Sequence, residues 1–146
     1  MADRTGAETE ALHVELVAAD RTVWSGDAAM VIARTTEGDI GVLRDHAPTL
    51  SLLAPAVVEI QVEDTDDVVV AAVDGGFLSV ANNRVSILSE HIELGEDVHV
   101  DKAKAELEEA RGLIGANNEA ERRVRRAEAR LRAAEKVSSG SVSSSH

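Results

Sequence analysis

From Leu12 to about Ile92 the apolar positions come in short alternating runs, with turn formers roughly every 8 to 12 residues, which predicts strands rather than helices. His13-Val14-Glu15-Leu16-Val17 opens one strand, and Met30-Val31-Ile32-Ala33 lies in another. Val57 to Glu63 alternates cleanly: Val58, Ile60 and Val62 fall on one face, and Glu59, Gln61 and Glu63 on the other. Asp64-Thr65-Asp66-Asp67 then turns the chain. Val68 to Val73 is wholly apolar, so the returning strand is expected to be more buried. Asp74-Gly75-Gly76 supplies positive φ at low steric cost and predicts a tight reversal, followed by a strand at Phe77-Leu78-Ser79-Val80. Asn82-Asn83 predicts another turn, and Arg84 to Leu88 closes the series. Many short strands with hairpin signals imply an antiparallel β-sandwich or flattened barrel over residues 12–97.

After Asp97 the period changes. Val100, Ala103, Leu107, Ala110 and Ile114 share one helical face. Gly115-Ala116-Asn117-Asn118 breaks that helix. Ala120, Val124, Ala127, Leu131 and Ala134 then define a second face. The short connection predicts an antiparallel helical hairpin over 98–137. Half of its ten seam positions are alanine, and an alanine methyl contributes only about 0.8 kcal/mol on burial. Such a hairpin is expected to leave the β body without unfolding it. Residues 1–11 and 138–146 have little to bury and are expected to be disordered tails.

Composition narrows the class. One Phe, one Trp and no Tyr force a core of Val, Leu, Ile and Ala. The longest apolar run is too short to span a bilayer, and MADRTGAETEA lacks the flank and apolar stretch of a signal peptide. Without cysteine there is no disulfide framework or thiolate metal site, which suits a cytoplasmic address. The net charge of −12 argues against a nucleic-acid partner. It is also unevenly spread. Residues 1–100 hold 5 basic and 19 acidic side chains, whereas 101–146 hold 10 basic and 8 acidic ones. An acidic body therefore carries a mildly basic end, and the two parts are expected to meet different partners.

No catalytic constellation emerges. His13, His46, His91 and His99 form no H-x-H or H-x-x-x-H pair, so no metal site is expected. Neither a G-x-x-x-x-G-K-[ST] nor a G-x-G-x-x-G run is present, and no serine sits in a nucleophile elbow. The acidic run 63–67 reads as a solvated hairpin tip ahead of a calcium site. Those features suit an interaction or regulatory protein with no cofactor.

Two motifs bring in a family. EGDIGVLRDHAPTL (37–50) resembles the signature of the epsilon subunit of F-type ATP synthases, G-[DE]-[IL]-G-[IV]-L-P-x-H-x-P-L-L. Gly38, Asp39, Ile40, Gly41, Val42, Leu43, His46, Pro48 and Leu50 match it, while Arg44 replaces a usual proline and Thr49 a usual leucine. Leu53-Ala54-Pro55-Ala56-Val57 is similar to the family's L-x-P-G-x, with Ala56 for glycine. VDGGFLSVANNRVSILSE (73–90) is close to its second signature, and the similarity runs from about Val14 to Glu135.

The resemblance implies a non-catalytic β-sandwich in the central stalk, bound to the γ subunit and seated on the c-ring. It would lie peripherally on the cytoplasmic face of the cell membrane, held there only through the complex. Gly38, Asp39, Ile40, Gly41 and His46 would form the docking loop, unless the glycines serve only the fold. The hairpin would engage acidic surface in the α/β catalytic head and restrain ATP hydrolysis, with Arg122, Arg123, Arg125, Arg126, Arg130 and Arg132 as contacts. The plainer alternative is that these arginines solubilise an exposed helix. Some members bind ATP through an [IL]-D-x-x-R-A motif, and Glu93, Arg126 and Arg130 match positions used there. Here His99 replaces the aspartate and Lys102 the arginine, and losing the arginine fork weakens phosphate binding. The rival from another class is a free-standing β-sandwich adaptor with a basic docking hairpin; a small enzyme with a dispersed site ranks behind it.

Overall fold

A computed structural model describes residues 11–115 and 118–138. Apart from Ala11 and Ser138, the two expected tails lie outside the described residues. Seven strands come first: β1 (Leu12–Ala18), β2 (Arg21–Thr35), β3 (Gly38–Val42), β4 (Thr49–Val62), β5 (Val68–Ala81), β6 (Arg84–Leu88) and β7 (Ile92–Leu94). A 3-10 turn (Gly95–Asp97) leads into α1 (Val100–Gly112) and α2 (Asn118–Ser138). The expected class, a β-sandwich or flattened barrel followed by two helices, is borne out.

Hydrogen bonding runs β1-β6-β5-β4-β2 and returns from β2 to β1, which closes a barrel. β3 hangs on β2 as an edge, and β7 pairs with the first half of β5. One pairing departs from the antiparallel expectation: β1 and β6 run parallel, His13 opposite Arg84. The core follows from alternation. Leu12, Val14 and Leu16 point inward from β1 and meet Val31, Ile60, Leu78 and Ile87 in a single cluster.

The double glycine does not reverse the chain. β5 continues through it and bends at Gly75 (φ 81°) and Gly76 (φ 109°). A Cβ on Gly76 would lie 1.9 Å from the Leu88 carbonyl oxygen, so close backbone approach, rather than a turn, demands glycine there. β4 bends with it, flanking the kink with the pairs Leu53–Gly76 and Pro55–Asp74. Across the bend the core-facing residues of β5 switch from Ala71 and Val73 to Leu78 and Val80. Three strands of 14 or 15 residues thus replace the many short ones expected. Asn82 and Asn83 do turn the chain, both at positive φ, as a two-residue hairpin requires.

The apolar run 68–73 is explained by burial on both faces. Ala71 and Val73 face the barrel core, while Val70 and Ala72 pack against Ala129 and Ala133 of α2. Gly95 completes this second contact: a Cβ there would stand 2.6 Å from the Ala133 carbonyl oxygen. The helix alanines therefore do more than line a thin seam. Ala120, Val124 and Ala127 are buried on α2, and Ala103 and Ala110 on α1, but Ala129 and Ala133 seat α2 on the barrel. Val100 and Ile114, expected in the helical seam, are exposed; α1 stops at Gly112, so Ile114 lies beyond its last turn.

Candidate functional site

The edge strand β3 carries the first group of candidate residues. Thr35 Oγ1 donates to the Gly38 carbonyl at 2.7 Å and accepts from the Glu37 N–H at 3.0 Å, which ties the β2–β3 turn. Gly38 takes φ 128°, a conformation that favours glycine, so the backbone itself requires it. Gly41 differs. Its φ is not positive, and a Cβ there would meet nothing within 4 Å. Asp39 is exposed, with Arg34 Nε 2.9 Å from its carboxylate, and Ile40 is half-buried.

The loop that follows is pinned rather than loose. Arg44 stands where a proline would stiffen it, but Asp45 (φ 65°) is held by Asn83, whose Oδ1 accepts from the Asp45 N–H at 2.6 Å. Asn83 Nδ2 returns a bond to the Asp45 carboxylate at 3.4 Å. The half-buried His46 donates from Nδ1 to the Ala47 carbonyl at 2.8 Å, which places its proton on that nitrogen.

A second surface was not singled out from the sequence. Leu52 lies directly opposite Phe77 and Phe77 opposite Leu88, so the three stand side by side across β4, β5 and β6. They are 53, 50 and 46% exposed, and Leu50, two residues along the same strand face, is 73% exposed. This is the outer sheet face beyond the bend; α2 covers the outer face before it. An apolar strip of this kind marks a contact surface. Its signal was present in Leu50-Ser51-Leu52-Leu53 and Phe77-Leu78, where apolar residues occupy both parities of a strand, one more than a single core uses.

The third group lies beneath α2. Asp74 is fixed by its own N–H, 3.2 Å from both the His91 carbonyl and Ser89 Oγ. Its carboxylate is only 5% exposed. Arg126 Nε lies 2.9 Å from Oδ2, in ion contact but poorly aligned for a hydrogen bond; Arg122 Nε stands 3.7 Å from Oδ1. Arg122 also donates to the Asp74 carbonyl at 3.3 Å. One turn further on, Arg130 bridges Glu93 (2.7 Å) and Glu106. Arg123 pairs with Glu109 at 3.6 Å, and Lys136 with Glu59 at 3.0 Å. Among the described residues Arg125 and Arg132 are exposed and carry no ion pair. Four of the six arginines thus face the chain itself.

Glu93, Arg126 and Arg130 do converge, on a cavity of about 620 Å³ between barrel and hairpin. Six carboxylates and four guanidinium groups line it, an acidic balance. His99 and Lys102 do not join that lining; His99 precedes α1 and makes no side-chain cap. Among the described residues no cluster of metal-binding side chains occurs, and no helix is long and apolar enough to cross a membrane.

Comparison with known proteins agrees with this architecture. Residues 11–95 match the family described as "ATP synthase, Delta/Epsilon chain, beta-sandwich domain". The ATP synthase epsilon chain of Streptomyces avermitilis is 51% identical over 122 residues, covering 84% of this chain and 94% of that one. The corresponding protein of Thermobifida fusca is 46% identical over 130 residues, covering 88% and 95%. A chain in the Euglena gracilis mitochondrial ATP synthase structure that includes the c-ring superposes with TM-score 0.66 at 25% identity, covering 89% of this chain and 81% of that one. A chain from the central stalk and c-ring of the Tetrahymena thermophila enzyme shares the fold, with TM-score 0.55 at 16% identity and 86% and 94% coverage.

Proposed function

Because this chain belongs to the ATP synthase delta/epsilon family, we propose that it is a non-catalytic central-stalk subunit that couples c-ring rotation to ATP synthesis through γ, and whose hairpin restrains ATP hydrolysis. The observation that carries this is a pair of exposed surfaces with positions that the barrel's own packing leaves unused. One is the β3 edge, where Gly41 opens onto empty space. The other is the Leu52–Phe77–Leu88 strip. The strip is apolar enough to hold a partner permanently and is assigned to γ. The edge of Gly38, Asp39, Ile40 and Gly41, with the pinned His46 loop, is assigned to the c-ring rim. Torque then crosses a rigid barrel, and the membrane is reached only through the complex, on its cytoplasmic face.

The edge assignment has a direct test. Asp39→Lys combined with Gly41→Leu should lower the coupling of proton flow to ATP synthesis in the assembled enzyme. The melting temperature of the isolated chain should move by no more than about 2–3 °C, because the Arg34–Asp39 pair is exposed and Gly41 has room for a side chain. Unchanged coupling would leave these residues a structural role only.

ATP binding is proposed to be absent or very weak. Arg130 is already bridged by two glutamates, and the acidic lining repels a polyphosphate. Calorimetric titration should therefore show no binding, or affinity weaker than millimolar, about −4 kcal/mol. Micromolar affinity would mean that the arginines re-aim from carboxylates to phosphates.

A further inference from the structure

The hairpin arginines cannot serve two acidic partners at once, and the structure shows which partner holds them when α2 lies on the barrel. Asp74 stands at the kink of β5, where the two positive-φ glycines follow it and its N–H is anchored to the β6–β7 connection. That backbone is fixed by the barrel, so its carboxylate cannot move to find other cations. Among the described residues its ion-pair partners are Arg122 and Arg126, both from α2. A carboxylate this deeply covered is tolerable only while cations face it. We propose that Asp74 is the lock of the hairpin: it holds Arg122 and Arg126 against the barrel, in direct competition with the catalytic head, and so sets how often the hairpin is free to inhibit. This rests on the inhibitory role assigned above to the same arginines.

Four features make the lock releasable. Arg122 and Arg126 are themselves half-exposed, so water and salt reach the pair from the helix side. Asp74 Oδ1 and Arg126 Nε lack good hydrogen bonds, so the contact is mainly electrostatic and short of the strongest bidentate form. Once α2 lifts, Asp74 becomes solvated, and the barrel is not left with a buried bare charge. The apolar contact beneath the helix is built of Ala129 and Ala133 on Val70 and Ala72, with Val57 and Val68 beside them and Gly95 against Ala133 and Val137. Small side chains there give modest burial, which leaves the ion cluster a deciding share of the docking energy.

The lock predicts opposite signs for its two sides. Asp74→Asn keeps the shape, removes the charge and leaves every arginine available, so the hairpin is freed and ATP hydrolysis by the assembled complex should fall several-fold. Arg122→Gln with Arg126→Gln also frees the hairpin but blunts it, so hydrolysis should rise. Position is read separately, by energy transfer between dyes on cysteines introduced at exposed Asp66 and Glu121 in the cysteine-free chain. Both variants should shift the docked–released ratio roughly ten-fold toward release. If the hairpin of Asp74→Asn stays docked as in the unaltered chain, Asp74 is not the lock. If Asp74→Asn fails to assemble, the double glutamine variant in the isolated full chain decides: continued docking overturns the lock, and release supports it. Release in both variants with hydrolysis unchanged in both would uphold the lock and overturn the inhibitory role of the hairpin.

Discussion

Removing every residue after Asp97 should leave a folded, cooperatively melting barrel, and the assembled complex should hydrolyse ATP several-fold faster. The first half of this expectation follows from where the core sits. All seventeen residues of the main cluster lie between Leu12 and Ile92, and none comes from the hairpin. Truncation does uncover Val70, Ala72, Val57 and Val68, which pack on α2, so some stability is lost. Asp74 is uncovered at the same time and gains water in place of Arg122 and Arg126. No bare charge is left buried. The second half follows from charge. The deleted segment carries 10 basic against 8 acidic side chains, the opposite balance to the barrel. ATP synthesis should change little, because the proposed path of torque runs through the barrel and γ. Reversing Arg122, Arg123 and Arg126 to glutamate should partly mimic the truncation, most clearly at low salt. A truncated complex that hydrolyses ATP no faster than the intact one would return these arginines to the role of solubilising a helix.

Placing a charge in the apolar strip should have the largest effect on assembly. Phe77 is half-exposed at the centre of that strip, flanked by Leu52 and Leu88 on the neighbouring strands. A central aromatic in a desolvated contact typically contributes about 2–4 kcal/mol, and burying an unpaired carboxylate in its place adds to the loss. Phe77→Asp should therefore weaken binding to γ by about 30-fold or more, as measured with purified γ or by retention in the complex. The barrel itself should stay folded, because Phe77 points away from the core that Leu78 enters. Ser79→Asp, one step along the same strand face beside Ser86, makes a useful control at the edge of the strip. Unweakened binding by Phe77→Asp would move γ to another surface.

Much of the fold was legible because burial on one face leaves a period. Val58-Glu59-Ile60 predicted its own orientation, and the switch to a helical period after Asp97 marked the hairpin. The double glycine misled because positive φ serves a reversal and a kink equally well. Only the approach of the Leu88 carbonyl decides between them, and that contact is non-local. Ala129 and Ala133 escaped notice because alanine is compatible with either face of a helix. Their burial depends on the small neighbours Ala72 and Gly95 far back in the chain. The candidate arginines were visible as a basic run, but their partners were not. Asp74 and Arg126 lie 52 residues apart, and nothing local marks one acidic residue of a strongly acidic body as the buried one. The Gly41 position shows the opposite case: the signature named it, and the structure shows open space around it.

The measurement that bears most directly on the proposed function is isolation of the tagged full-length chain from native membranes at near-physiological salt, with its companions identified by mass spectrometry. A central-stalk subunit should bring down stoichiometric γ, c-ring, α and β subunits, all lost together when the tagged chain carries Phe77→Asp. Recovery of the chain in the soluble fraction, alone or with some other acidic protein and without γ or c subunits, would contradict it and leave a free-standing adaptor.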